Sequence, residues 1–138
     1  MRRFHLIVGM AVVVVFLLTG LWMRRHEPPM NTLSDAMRLM HRSRHIYILA
    51  SGLVNLMLGL YIQHRPVGWR GRVQWIGSGL LIASPMLLVL AFSLEPGVGF
   101  QGEMWWSRLG LYTLFGGCML HFTSATGSRK ASKRPASE

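Results

Sequence analysis

Histidine is the residue type that offers the widest chemistry in this chain, and it occurs six times in 138 residues. A neutral imidazole can ligate a metal ion, and two of them can hold a b-type haem from both sides. His5 and His121 form the best such pair, because they lie at one predicted depth and His121 shares a helix face with small residues. They are therefore candidate axial ligands of haem b. The alternative is that both are interfacial side chains with solvated tips.

A second group of metal-capable side chains lies between residues 37 and 45. His41 and His45 are four residues apart and fall on one helix face. Met37 and Met40 add thioethers, which suit Cu(I). No acid or cysteine completes the set, and both methionines also fit the apolar face of an amphipathic helix. These four residues are weak candidates for a metal site, and we expect no bound metal by default.

Motifs that would indicate an enzyme are missing from the sequence. It contains no phosphate-binding loop, no Ser-His-Asp arrangement and no HExxH. Cys118 is the only cysteine, so there is neither an internal disulfide nor a thiolate cluster for zinc. We predict no catalytic residues, which favours a protein that is not an enzyme.

Four apolar segments must position these side chains. Hydrophobic residues make up 51% of the chain and charged residues only 14%, where soluble proteins average about 25% charged. A helix needs about 20 apolar residues to cross a bilayer core. The segments cover residues 4–23, 46–62, 73–94 and 109–126. The sequence predicts an all-α membrane protein, a four-transmembrane-helix bundle that forms one domain over residues 1–126.

The connector between the first two segments has its own helical pattern. Pro28 and Pro29 end any preceding helix, and Asp35 favours the start of a new one. Met37 and Met40 fall on an apolar face of that helix. We therefore expect a short amphipathic helix that lies on the membrane surface and runs into the second span.

The formal net charge of +10 comes from basic residues that flank the apolar segments. Four spans place both termini on one side, and Lys and Arg are more numerous there. The positive-inside rule then predicts cytoplasmic termini, in the inner membrane of a bacterium. The tail 127–138 is basic and poor in apolar residues, which predicts disorder. The acidic partner expected is the lipid headgroup, and no nucleic acid is expected.

Small and polar residues within the spans predict how the helices pack. Ser51, Asn55 and Gly59 form one stripe at i, i+4, i+8, and Gly117 lies on a similar face of the fourth span. In membranes such faces allow close approach, and the Asn55 amide should find an interhelical partner worth roughly 0.6–2 kcal/mol. Gly79 and Ala83 suggest the packing face of the third span. Pro85 within that span frees a carbonyl, which Ser84 or a neighbouring helix must satisfy.

Two resemblances to known families accompany these patterns. The residues RSRHIYIL from Arg42, continued through Asn55 to LGLYI at 58–62, resemble small four-span inner-membrane proteins of proteobacteria. That resemblance covers about a sixth of the chain, and it implies four spans without implying an activity.

The second resemblance is to the four-span protoporphyrinogen oxidases of bacteria. It rests on His5 and His26 at the ends of the first span, on arginines before the second span and on Gly68-Trp69 before the third. In that family a histidine near the first span and a lysine near the third are functional. His5 matches the histidine, but only Arg72 lies where the lysine would be, and the third span lacks the family's histidine.

Three functions are compatible with these observations. The first is a non-enzymatic accessory or assembly component of an inner-membrane complex, which contacts another membrane protein or a second copy of itself. The second is a haem- or quinone-linked membrane redox protein, and the third is a holin-like pore former. Asp, Glu and Lys are absent from the four apolar segments, which argues against ion-coupled transport.

Overall fold

The computed structural model describes residues 1–61, 68–96 and 103–126, and every regular element in this part of the chain is helical. The four α-helices are α1 (Arg2–Arg25), α2 (Asp35–Tyr61), α3 (Trp69–Leu94) and α4 (Trp105–Thr126), with a short 3₁₀ turn at Met30–Thr32. The helices occupy the four apolar segments. Residue 62, predicted to end the second span, and the predicted disordered tail 127–138 lie outside the described residues.

Membrane-spanning character is clearest in two of these helices. Among the described residues, α1 and α3 are long and apolar enough to cross a bilayer. α2 differs because its first turns carry charged residues, Asp35 and Arg38 among them, which form an exposed ion pair. The structure therefore supports an all-helical protein with two candidate membrane-spanning helices.

The segment predicted to be an amphipathic helix before the second span is the first part of α2. α2 runs without a break from Asp35 to Tyr61, because no Gly or Pro interrupts the first turns. Ser34 Oγ accepts a hydrogen bond from the backbone N–H of Met37 at 3.4 Å, near the start of the helix. Met40 and His41 are buried, so this segment packs against the other helices instead of lying apart from them.

The helices form two hairpins, with α1 packed along α2 and α3 along α4, and the hairpins meet mainly through α2 and α3. Glycines allow the closest approaches within each hairpin. A Cβ on Gly59 would lie 2.8 Å from the backbone N of Leu6, and one on Gly117 would lie 2.9 Å from the carbonyl oxygen of Gly77. Both glycines are therefore required by the separation of the paired backbones.

The packing face of α3 differs from the predicted one. Gly79 and Ala83 are exposed, and a Cβ on Gly79 would meet no atom within 4 Å. The buried face instead contains Ser78, Leu81 and Ser84. Because one residue turns a helix by about 100°, Gly79 and Ala83 lie on roughly the opposite side of α3 from the buried face.

Pro85 is buried in α3, and its lack of an N–H leaves the carbonyl of Leu81, four residues earlier, without its helical donor. The neighbouring helix supplies one: the side-chain amide of Asn55 in α2 donates to Leu81 O at 2.9 Å. Ser84 donates its hydroxyl elsewhere, to Gly110 O in α4 at 3.1 Å. The proline in α3 and the asparagine in α2 are thus complementary.

A buried ion pair joins the hairpins at the other end of α2. Arg44 Nε donates to Glu95 Oε2 at 2.7 Å, and both side chains are buried. Glu95 also accepts from the Ser107 backbone N–H at 2.8 Å and from the Ser107 hydroxyl. Burial raises the pKa of Glu95, but the hydrogen bonds from Ser107 and Arg44 outweigh burial and hold the pKa below its ordinary value. One carboxylate therefore ties together α2, the end of α3 and the start of α4.

The pairing of Pro85 with Asn55 predicts a coupling between the two positions. Asn55→Leu should destabilise the fold, because it leaves Leu81 O without a donor. In a Pro85→Ala background the backbone N–H of residue 85 can serve that carbonyl, so Asn55→Leu should cost about 1 kcal/mol less in unfolding free energy. Denaturant titration of the four proteins in detergent measures this coupling. As a control, Ser93→Ala lies at an exposed site on the same helix as Pro85, so its effect on the unfolding free energy should add to that of Pro85→Ala. If the effects of Asn55→Leu and Pro85→Ala were also additive, the pairing would be contradicted.

The Glu95 ion pair predicts an acid-sensitive stability. Because the pKa of Glu95 is lowered on folding, its contribution is fully present above the ordinary value of 4.5 and is lost as the pH falls below it. Glu95→Gln should cost about 3–5 kcal/mol at neutral pH, since it leaves Arg44 buried without a counter-charge. Thermal unfolding in detergent between pH 7 and 3 should show a smaller pH dependence in Glu95→Gln. The exposed Glu103→Gln should behave as wild type, and equal pH profiles for all three would refute the assignment.

Candidate functional site

The inner-end site lies where the N-terminus of α1 meets the ends of the other helices. It consists of His5 from α1, Asn55 from α2, Ser78 from α3 and His121 from α4. The His5 side chain is completely buried, and its Nδ1 lies 2.8 Å from Asn55 Oδ1. Small residues around it, Gly59 and others, let the helix ends approach closely enough for these four side chains to meet.

The hydrogen bonds of Asn55 determine which nitrogen of His5 carries the proton. Asn55 Nδ2 lies 2.9 Å from Ser51 O and 2.9 Å from Leu81 O, and carbonyl oxygens only accept. The amide nitrogen must therefore face these two carbonyls, and Oδ1 must face His5. Since Oδ1 can only accept, His5 Nδ1 donates. In the neutral ring, Nε2 then carries a lone pair and no hydrogen.

The Nε2 atom of His5 is buried and has no hydrogen-bond partner. Leaving a buried acceptor unpaired costs about 1–3 kcal/mol, so a native structure should have a use for it. Metal-ligating histidines commonly donate their other ring N–H to an oxygen acceptor, which fixes the tautomer and the ring orientation. His5 has this arrangement, with Asn55 as the orienting acceptor.

The structure brings the two predicted haem ligands together. The ring centroids of His5 and His121 are 6.2 Å apart, with their planes at 80°. A metal–imidazole bond is about 2.0 Å long, so two rings on opposite sides of one ion have centres about 6 Å apart. His121 Nε2 lies 3.1 Å from Ser78 Oγ, a hydroxyl that can rotate to another acceptor. The spacing of the pair therefore suits two ligands of one metal.

Open space adjoins this pair between α1 and α3. A cavity of about 350 Å³ is lined by Met1, Phe4, Trp75, Ser78, Gly79 and Ile82. Ser78 belongs both to this cavity and to the hydrogen bond with His121. The remaining lining is mostly apolar and includes one indole. Neither histidine lines this cavity, so Ser78 is the residue through which it adjoins the pair.

Three of the four metal candidates from the sequence have packing or hydrogen-bond contacts in the structure. Met40 is buried in the packing between helices, and His45 Nδ1 lies 2.9 Å from Thr19 Oγ1. His41 contacts the ring of Phe92, with centroids 5.4 Å apart. Within the described ranges, no group of three or more His, Cys, Asp or Glu could hold a metal ion.

His41 nevertheless has an unusual environment. Only 6% of the residue is exposed, and its buried Nδ1 has no hydrogen-bond partner. Burial lowers the pKa of His41, and the nearby His26 and Arg44 lower it further. The ring is therefore kept neutral at physiological pH. This end of the molecule, which contains His41, Trp22 and Phe92, is called the outer-end cluster below.

Sequence reasoning missed two parts of these sites. The first is the buried pair of Arg44 and Glu95. Both residues flank apolar segments in the sequence, a pattern that is typical of solvated charges. Ser78 had no signal at all, because one serine in an apolar segment predicts no particular partner. The role of Asn55 was visible as a polar residue in mid-span, but its contacts with Leu81 and His5 depend on helices far away in sequence.

Comparison with known proteins adds no assignment. No protein-family model, no curated protein and no solved structure matches this chain. The function is therefore argued from the geometry of the inner-end site.

Proposed function

We propose that this chain is a four-span protein of the bacterial inner membrane that binds haem b between His5 and His121 and transfers electrons. The observation that carries the proposal is the lone pair on His5 Nε2, which is buried and unpartnered beside a second imidazole 6.2 Å away. The same pair was the candidate ligand set from the sequence.

Each residue of the inner-end site has a role in this proposal. His5 and His121 would hold the haem iron, and Asn55 holds His5 in the tautomer that presents Nε2. Bound there, haem would supply one-electron chemistry, because two protein ligands leave no open axial position for O₂. Burial of His5 and Asn55 excludes water, which is one of the factors that set a redox potential.

The proposed membrane arrangement is supported by the helices themselves. α1 and α3 are each apolar enough to cross a bilayer, and α2 and α4 pack along them. Large apolar side chains, such as Phe4 and Leu17 on α1 and Met86 on α3, are exposed and would contact lipid. With the excess of basic residues on the side of the termini, both termini face the cytoplasm, and the haem lies near that side.

A role as an accessory subunit is a second candidate, and one feature of α4 favours it. Tyr112, Phe115, Met119 and Phe122 are all exposed and follow one another at intervals of three, four and three residues. This is the spacing of a helix face that packs against another helix. The partner would be a larger membrane protein or a second copy of this chain.

The haem proposal predicts an absorption spectrum. Protein purified in detergent after expression with ample haem precursor should show a Soret band and, on reduction, a sharp α band. His5→Ala and His121→Ala should each lower the haem content at least tenfold, because each removes one axial ligand. His26→Ala, at the other end of the molecule, should retain full haem content.

The result that sinks this proposal is a colourless wild-type protein that stays colourless after haem is added. Circular dichroism and size-exclusion chromatography show whether each variant is folded, so loss of haem can be separated from loss of structure. Colourless protein that copurifies with a larger membrane complex would support the accessory role instead.

A further inference from the structure

A continuous apolar groove runs along the surface between α1 and α3. One cavity of about 440 Å³ lies against the middle of both helices, between residues 8–15 of α1 and 82–90 of α3. A second cavity, of about 420 Å³, continues it towards the outer-end cluster. Val15 lines both cavities, so they form one groove.

The outer end of this groove is lined by aromatic rings. Trp22, His41 and Phe92 all line the second cavity. Their ring centroids are separated by 5.4–5.6 Å: Trp22 to His41 5.6 Å, Trp22 to Phe92 5.6 Å and His41 to Phe92 5.4 Å. Such a set offers both faces and edges to a flat ring that enters the cavity.

His41 contributes a buried polar atom at this end of the groove that lacks a hydrogen-bond partner. Its Nδ1 is buried and unpaired although the side chain lines the cavity. The other histidine close to Phe92, His45, is already bonded to Thr19. A neutral imidazole has one donor and one acceptor, so His41 can bond to a carbonyl or to a hydroxyl.

We propose that this groove binds an isoprenoid quinone, with its head ring against the side chains of Trp22 and Phe92, one oxygen bonded to His41, and its tail along α1 and α3. The head must be uncharged, because neither cavity is lined by Lys or Arg. A phospholipid phosphate would need such a cation. The tail must be long and apolar, because the middle of the groove is lined by aliphatic side chains, a proline and a methionine.

The head end of this site is far from the proposed haem site, although Ile82 lines both the middle cavity of the groove and the cavity beside the histidines. Residues 5 and 22 of α1 are seventeen residues apart, which corresponds to about 25 Å along a helix. The quinone site therefore stands or falls independently of haem binding, and the two can be tested on the same variants.

The test uses the full-length protein, delipidated in detergent, and a ubiquinone with two isoprene units as the probe. Equilibrium binding should weaken about tenfold in His41→Phe, which keeps an aromatic ring but removes the hydrogen bond. Ala11→Phe should also weaken binding at least tenfold, because Ala11 lines the middle of the groove. Ala83→Phe, the same change at an exposed position of α3 that lines neither cavity, should bind as wild type.

Three results would overturn the proposal. The first is a wild-type affinity of His41→Phe for the probe, which would show that the quinone head does not bind at the outer-end cluster. The second is displacement of the probe by a fatty acid of similar length as effectively as by another quinone, which would mean that the groove holds acyl chains only. The third is a crosslink between residue 11 of two copies whose yield does not fall when the quinone is added, which would make a second copy the occupant.

Haem content measured in parallel should be unchanged in His41→Phe and Ala11→Phe, and quinone binding should survive His5→Ala.

Discussion

The carbonyl oxygen of Leu81 determines much of the interior of this protein. Pro85 cannot donate to it, and Leu81 is completely buried, so a donor must come from another helix. The amide of Asn55 provides that donor and thereby turns its own oxygen towards His5. One proline in α3 thus sets the orientation of a side chain in α2 and the tautomer of a histidine in α1. The lone pair on His5 Nε2 therefore follows from the missing N–H of Pro85.

The buried polar groups at the two ends of the bundle are satisfied in different ways. At the inner end, neutral groups form a chain of hydrogen bonds that leaves one acceptor, His5 Nε2, free. At the outer end, Arg44 and Glu95 neutralise each other in a buried pair that Ser107 completes. Arg44 is also among the groups that lower the pKa of His41, so the histidine nearest the groove stays uncharged. Each end therefore presents a buried imidazole nitrogen without a hydrogen-bond partner, and each proposed ligand binds at that side chain.

Part of the site was predictable because depth along an apolar helix can be counted. His5 and His121 each lie a few residues from the end of their segments, and antiparallel segments of similar length place those ends on one side. The packing role suggested for Ser51, Asn55 and Gly59 also came from spacing alone. The predicted face of α3 was wrong, since Gly79 and Ala83 are exposed. The rotation of a uniformly apolar helix about its axis leaves little trace in its sequence, because every face is acceptable to an apolar environment.

The sequence by itself determined the number of helices in the described residues, their approximate bounds and the end of the molecule at which His5, His41 and His121 lie. These properties depend on the length and composition of local segments, which a single chain displays directly. Only the tertiary structure decided that Leu81 O is bonded to Asn55 and that Arg44 reaches Glu95. Such contacts join residues up to 51 positions apart, and they depend on helix rotation and on which hairpin packs against which. Local pattern does not encode either of these, so the ligand geometry at both ends emerged only from the packed helices.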